Sequence, residues 1–311
     1  MSFVKIIEGP IKEELLKFKK YHKNSLKSET RILDIISSFV HYQKKNDSIP
    51  LITLLSAKIS GEITENTLVA ASLIDLLYTA TLIHDDVQEE NFDKKLFSRI
   101  NDLWKTKLSV LMGDYFLAKG LLLSVKNKTY NLLEIASKSV KEMTEGELQI
   151  IYNSRELFIN QKNYLEIITK KTASLYSACA MAGAVSAGGN KESIYTLNSF
   201  GQNYGLALHI SSELNYKSTI KNSKYRITLP LILSLEKVSE AERKKMLNYL
   251  QFPINKELTK FIHNFTEKKG GIDDARIIME DYKTKALDDI SEFPYSNIVE
   301  SFKKMIQLHI N

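Results

Sequence analysis

Between Thr67 and Glu90 the chain reads TLVAASLIDLLYTATLIHDDVQEE, and this stretch decides the fold. At helical spacing Leu68, Val69, Leu73, Ile74, Leu76, Leu77, Leu82 and Ile83 cover every side of a cylinder. A helix that is apolar all round has to be buried, so the run from Thr67 to Ile83 is predicted to be a central element. At its C-terminal end stand His84-Asp85-Asp86-Val87-Gln88-Glu89-Glu90. Asp85 and Glu89 share one helix face, and Asp86 and Glu90 share another. Carboxylates so placed repel each other unless a cation lies between them. Oxygen ligands of this kind suit Mg²⁺, which keeps several waters and takes the rest of its shell from a phosphate. The plain alternative is a charged terminus running into solvent. A solvated terminus does not require an all-apolar helix leading into it, whereas a metal-diphosphate site at the mouth of an apolar cavity does.

The rest of the chain reads the same way. Its 311 residues are 43% hydrophobic and include only 12 glycines and 5 prolines, too few turn-formers for a sheet of many short strands. Amphipathic helices are predicted over Ile11–Tyr21 and Thr30–Tyr42, with a loop from Lys44 to Pro50. Leu108–Val125 is nearly as apolar as the central run and reads as a second buried helix. Ala173–Ala187 is rich in Ala, Ser and Gly, which allows close helix contact or lines a cavity. Gly188-Gly189-Asn190 and Gly270-Gly271 read as helix ends, and Asp273-Asp274 as charge at a helix N-terminus. The formal net charge of +6 is spread along the chain and is mostly lysine, a solvated surface that argues against a nucleic-acid partner. The single cysteine, Cys179, excludes a disulfide frame and a thiolate metal cluster. With no signal-peptide pattern and no stretch taken as a membrane span, a cytoplasmic location is expected. No linker, internal repeat or low-complexity tract divides residues 1–311, so a single all-α domain is expected.

Further segments carry a more specific signal. They are His84-Asp85-Asp86-Val87, Asn101-Asp102-Leu103-Trp104-Lys105, Val110 through Leu117, Glu145-Gly146-Glu147, Lys171-Thr172-Ala173, Phe200-Gly201 with Gly205, and Thr228-Leu229-Pro230-Leu231. In this order they resemble the trans-isoprenyl diphosphate synthase (polyprenyl synthetase) family over nearly the whole chain. The resemblance implies an orthogonal helical bundle around a central apolar cavity, the isoprenoid synthase or class I terpenoid synthase fold. It implies Mg²⁺ held by aspartate-rich motifs, an allylic diphosphate as substrate, and ionisation of that substrate to a cation sheltered from water. Asp85 and Glu89 would hold metal, with Asp86 supporting them, and Lys171 and Thr172 would meet the diphosphate. Ala80 and Thr81, where bulky residues shorten the product in the family, would leave room for a long chain. A homodimer is implied, or a heterodimer with an active prenyl synthase.

The chain also departs from the family pattern. Where the second motif reads Phe-Gln-x-x-Asp-Asp-x-x-Asp, this chain has Leu208-His209-Ile210-Ser211-Ser212-Glu213-Leu214-Asn215-Tyr216. Ser212, Glu213 and Asn215 are the remnant or replacement of that metal site, and His209 stands for the family glutamine at the substrate. Asn215, Thr219 and Ser223 have the spacing of the terpene-cyclase metal motif but lack its final carboxylate. In the isopentenyl diphosphate pocket, the family's lysine and arginine become Asn46 and Ile49, its histidine becomes Tyr78, and Arg-Arg-Gly becomes Lys94-Lys95-Leu96. Desolvating a second diphosphate there without the cationic cluster is costly. The expectation is therefore an enzyme that ionises an allylic diphosphate for cyclisation or for prenyl transfer without the usual isopentenyl diphosphate site. The alternatives are an inactive subunit of a heteromeric synthase and an elongating synthase with unusual site residues.

Overall fold

A leucine-and-isoleucine run with no polar face forms a helix only inside other helices, and that is where the chain puts it. The computed structural model describes residues 7–30, 33–34, 48–86, 102–156, 160–215, 227–250 and 256–310, all helical apart from their short connections. After a short turn at Gly9–Ile11 come α1 (Lys12–Leu26), α2 (Ser48–Ser60) and α3 (Glu65–Asp86). Next are α4 (Asp102–Asn127), α5 (Tyr130–Glu156) and α6 (Gln161–Ile168), then a π-helical turn at Thr169–Ala173 that runs into α7 (Ser174–Ser186) and α8 (Lys191–Leu214). The chain closes with α9 (Leu229–Glu236), α10 (Glu240–Tyr249), α11 (Lys256–Lys268), α12 (Gly271–Ser291) and α13 (Asn297–His309).

Helix α3 lies in the centre as predicted: Val69, Leu73, Ile74, Leu76, Leu77 and Ile83 are buried, while Leu68 is partly covered and Leu82, near the C-terminal end, is exposed. It packs against α2, α4 and α7, with α1 and α5 beside it. One residue inside it breaks the apolar rule. Asp75 is buried, and its Oδ2 lies 3.2 Å from Nε2 of the equally buried His22 on α1. His22 stacks on Phe18 of the same helix, so α1 docks onto α3 through a charged or hydrogen-bonded pair as well as through Leu15 and Leu26. Ala80 sits in a cluster with Leu76, Ile83, Met112 and Phe116.

The small-residue helix α7 provides close contact. A Cβ placed on Gly183 would lie 2.3 Å from the Thr53 carbonyl oxygen, so α2 and α7 touch at backbone level. Gly188 and Gly270 adopt left-handed conformations, φ 76° and 72°, and end α7 and α11 as the sequence indicates. Asp273 and Asp274 fall in the first turn of α12.

Three expectations change. Helix α4 is not enclosed: Met112, Gly113, Phe116 and Gly120 face inward, while Val110, Leu111, Leu121, Leu122 and Val125 are exposed. Hydropathy reports how much of a helix is apolar, not whether a partner covers each side. Ser48, Ile49 and Pro50, read as loop, form the first turn of α2, where a proline is tolerated because its missing N–H would be unpaired anyway. By length and composition alone α3 and α4 are both apolar enough to cross a membrane, which corrects the expectation that no stretch reaches that limit; α3 instead fills the core. Most of the predicted Thr30–Tyr42 helix lies outside the described residues.

The C-terminal helix is fastened by a buried polar contact, the Tyr204 hydroxyl at 2.6 Å from His309 Nδ1. Burial holds the His309 imidazole below its ordinary range, so the folded chain favours the neutral ring. An unfolded histidine takes its proton near pH ~6.5, so this contribution is complete above that value and is lost as the pH falls below it. The melting temperature should therefore drop between about pH 7 and pH 5, and His309→Gln should flatten that part of the profile; an unchanged profile would contradict the assignment.

Candidate functional site

The sequence-predicted site residues fall in two clusters. Asp85 and Asp86 close the last turn of α3, as their motif requires. Their side chains, and all of Glu89, Lys94 and Lys95, lie outside the described residues, as do Asn46, Thr219 and Ser223. Next to them, the His84 Nε2 is 3.4 Å from Asp114 Oδ1 and 3.4 Å from the Val110 carbonyl oxygen on α4. Gly113 makes this possible: a Cβ there would fall 2.1 Å from His84 Nε2. The Met112-Gly113-Asp114 segment thus seats the residue that precedes the acidic pair.

The second cluster forms where α5, the π-helical turn and the end of α8 meet. A π turn is a single widened turn in a helix, and it moves the side chains on it out of the helical register. Here those side chains are Lys170, Lys171 and Thr172. Glu145 and Glu147 face them from α5. The Lys171 ammonium pairs with the Glu147 carboxylate, with both side chains largely covered, and Lys170 Nζ lies 3.6 Å from Glu145 Oε2. Between the two glutamates, Gly146 lets the backbones meet; a Cβ on it would lie 2.8 Å from the Lys171 backbone nitrogen. The Glu145-Gly146-Glu147 segment therefore reads as two carboxylates around a gap that only glycine leaves open.

Thr172 points the other way, toward α8. Its Oγ1 is 2.8 Å from His209 Nδ1, and His209 Nε2 is 3.4 Å from Glu213 Oε1 one turn further along. The Tyr164 hydroxyl on α6 donates to the same Glu213 oxygen. Glu213 Oε2 accepts the Leu229 backbone N–H at 3.0 Å, the first N–H of α9. Ser212 donates back to the His209 carbonyl oxygen at 2.7 Å, and Asn215 is exposed at the C-cap of α8.

The structure thus joins Thr172, His209 and Glu213 in one network, with the Lys171–Glu147 pair on the other side of the same turn. It adds Glu147 and Tyr164, which the sequence reading did not assign to the site. Tyr164 sits 49 residues from Glu213, and no local pattern signals such a contact. Ile49, which the sequence reading sets against the family's arginine, is buried at 1% exposure, and Tyr78 is partly buried in the core. Among the described residues, no group of three or more His, Cys, Asp or Glu side chains is placed to hold a metal ion.

Residues 47–263 match the polyprenyl synthetase family. A short chain isoprenyl diphosphate synthase of Methanothermobacter thermautotrophicus is 25% identical over 268 residues, 81% of this chain and 82% of that protein. The crystal structure of a geranylgeranyl pyrophosphate synthase from Bacteroides thetaiotaomicron is 27% identical, with a TM-score of 0.84 over 100% of this chain and 99% of that one. A polyprenyl synthase from Caulobacter crescentus, crystallised with calcium and isoprenyl diphosphate, shares the fold with a TM-score of 0.86 at 24% identity, over 99% of this chain and 97% of that one.

Proposed function

The chain belongs to the polyprenyl synthetase family, and from that premise we propose that it is a prenyltransferase of isoprenoid biosynthesis that binds and ionises an allylic prenyl diphosphate with Mg²⁺. The observation that carries the reading is the Lys171–Thr172 turn, widened into a π turn and set against Glu145-Gly146-Glu147. Lys171 meets the diphosphate as a point charge, and the Thr172 hydroxyl supplies a hydrogen-bonding group beside it. Asp85, Asp86 and Glu89 are the carboxylates suited to the metal. Bound there, Mg²⁺ would neutralise the charge that develops on the departing diphosphate. The apolar residues of α3 and α4 leading into that end would keep water from the prenyl chain.

The acceptor is proposed to be other than isopentenyl diphosphate: either a different nucleophile or a double bond of the same prenyl chain, which gives cyclisation. Ile49 supports this, because the side chain that the sequence reading sets against a diphosphate-binding arginine is apolar and buried. The decisive assay offers the geranyl to geranylgeranyl diphosphates with Mg²⁺, with and without isopentenyl diphosphate. Pyrophosphate release from at least one substrate alone, unchanged when isopentenyl diphosphate is added, is the expected outcome. No release from any substrate would sink the activity, and lengthened products would sink the choice of acceptor.

We further propose a second copy of the chain as its partner. The exposed apolar residues Val110, Leu111, Leu121, Leu122 and Val125 on α4 support this, since singly scattered apolar side chains are ordinary but a helix face of them is not. Light scattering should find dimers for the natural chain and monomers for Leu111→Glu with Leu122→Glu. A natural chain that runs as a monomer at micromolar concentration would contradict it.

A further inference from the structure

The family pattern implies a second metal site at the end of α8, and the donor groups present there do not fit one. Ser212 stands where the family has its first aspartate; it is neutral, and its hydroxyl turns back onto the His209 carbonyl oxygen. Asn215 is neutral and exposed. The only carboxylate, Glu213, has both oxygens engaged. Oε2 takes the Leu229 N–H at 3.0 Å, and Oε1 takes the Tyr164 hydroxyl and faces His209 Nε2 at 3.4 Å. Oε1 is thus taken up on two sides and Oε2 keeps one lone pair, so a small cation there would find a single carboxylate lone pair and no second carboxylate among Ser212, Glu213 and Asn215.

We infer that Glu213 is a hydrogen-bond latch rather than a metal ligand. It ties three elements at one point: the end of α8, Tyr164 on α6, and the N-terminus of α9. The position on α9 suits an anion, because the first N–H groups of a helix lack intrahelical partners and the dipole there is positive. The choice of glutamate over the family's aspartate fits as well, since the extra methylene lets one carboxylate reach Tyr164 and Leu229 together. Through His209 the latch extends to Thr172, so that His209 and Glu213 are positioning residues for the turn that carries Lys171. The role of that turn rests on the function proposed above; the latch itself does not.

The test separates the two. Melting curves of Tyr164→Phe, Glu213→Gln and the double variant, recorded without metal, should show Glu213→Gln lowering the melting temperature by about 3–8 °C. The double variant should be little worse than Glu213→Gln alone, because both changes remove the same contact. Equilibrium binding of Mn²⁺ in the presence of inorganic pyrophosphate should give the same stoichiometry, and a Kd within about twofold, for the natural chain and Glu213→Gln. Additive effects on melting, a Glu213→Gln variant as stable as the natural chain, or loss of one Mn²⁺ on that substitution would each overturn the inference. If Glu213→Gln does not fold, Tyr164→Phe decides by itself: a lowered melting point with unchanged Mn²⁺ uptake supports the latch, and an unchanged melting point overturns it. If the natural chain takes up no Mn²⁺, the proposed function fails while the melting coupling still decides the latch.

Discussion

The structure depends on one constraint: α3 has no face that water can accept. Its leucines, isoleucines and valines point in all directions, so α2, α4 and α7 must surround it before any of them is stable. The charged residues on that helix are consequently either paired or at an end. Asp75 is paired with His22, an arrangement whose disruption would leave a buried charge or an unpaired polar group. Asp85 and Asp86 are at the end. A bundle built around such a helix has an apolar middle and can carry anionic ligands only at its rim.

The π-helical turn provides the other half of the design. A regular helix through Thr169–Ala173 would keep Lys170, Lys171 and Thr172 in step with the turns before and after them. The widened turn divides their work. The lysines pair with Glu145 and Glu147 on one side, and Thr172 joins the His209–Glu213 network on the other. Glu147 keeps the Lys171 ammonium paired within a largely covered site. A diphosphate, with more negative charge than one carboxylate, is the kind of group that could take its place.

Much of this was legible in the residues. The all-apolar run predicted α3 and the double glycines predicted helix ends, whereas Lys171-Thr172 and Glu145-Gly146-Glu147 were read only as separate segments, without the π turn or the pairing between them. What escaped the reading has physical reasons. The exposed side of α4 escaped because hydropathy counts apolar side chains without knowing what covers them. Asp75 escaped because an aspartate in an apolar run says nothing of a histidine on another helix. The engagement of Glu213 escaped because Tyr164 and Leu229 come from separate elements, and a spacing argument reaches only neighbours on one helix. Glu89, Lys94 and Lys95 lie outside the described residues, so the first metal motif is read from sequence and from the end of α3 alone.

The central claim is that the π turn aims one particular lysine at a prenyl diphosphate. The most direct measurement compares Lys171→Ala with Lys170→Ala in kcat/KM for pyrophosphate release from the best allylic substrate. The account predicts a loss of roughly 10²–10³-fold for Lys171→Ala and less than about threefold for Lys170→Ala. Equal losses in the two variants, or full activity in Lys171→Ala, would contradict it.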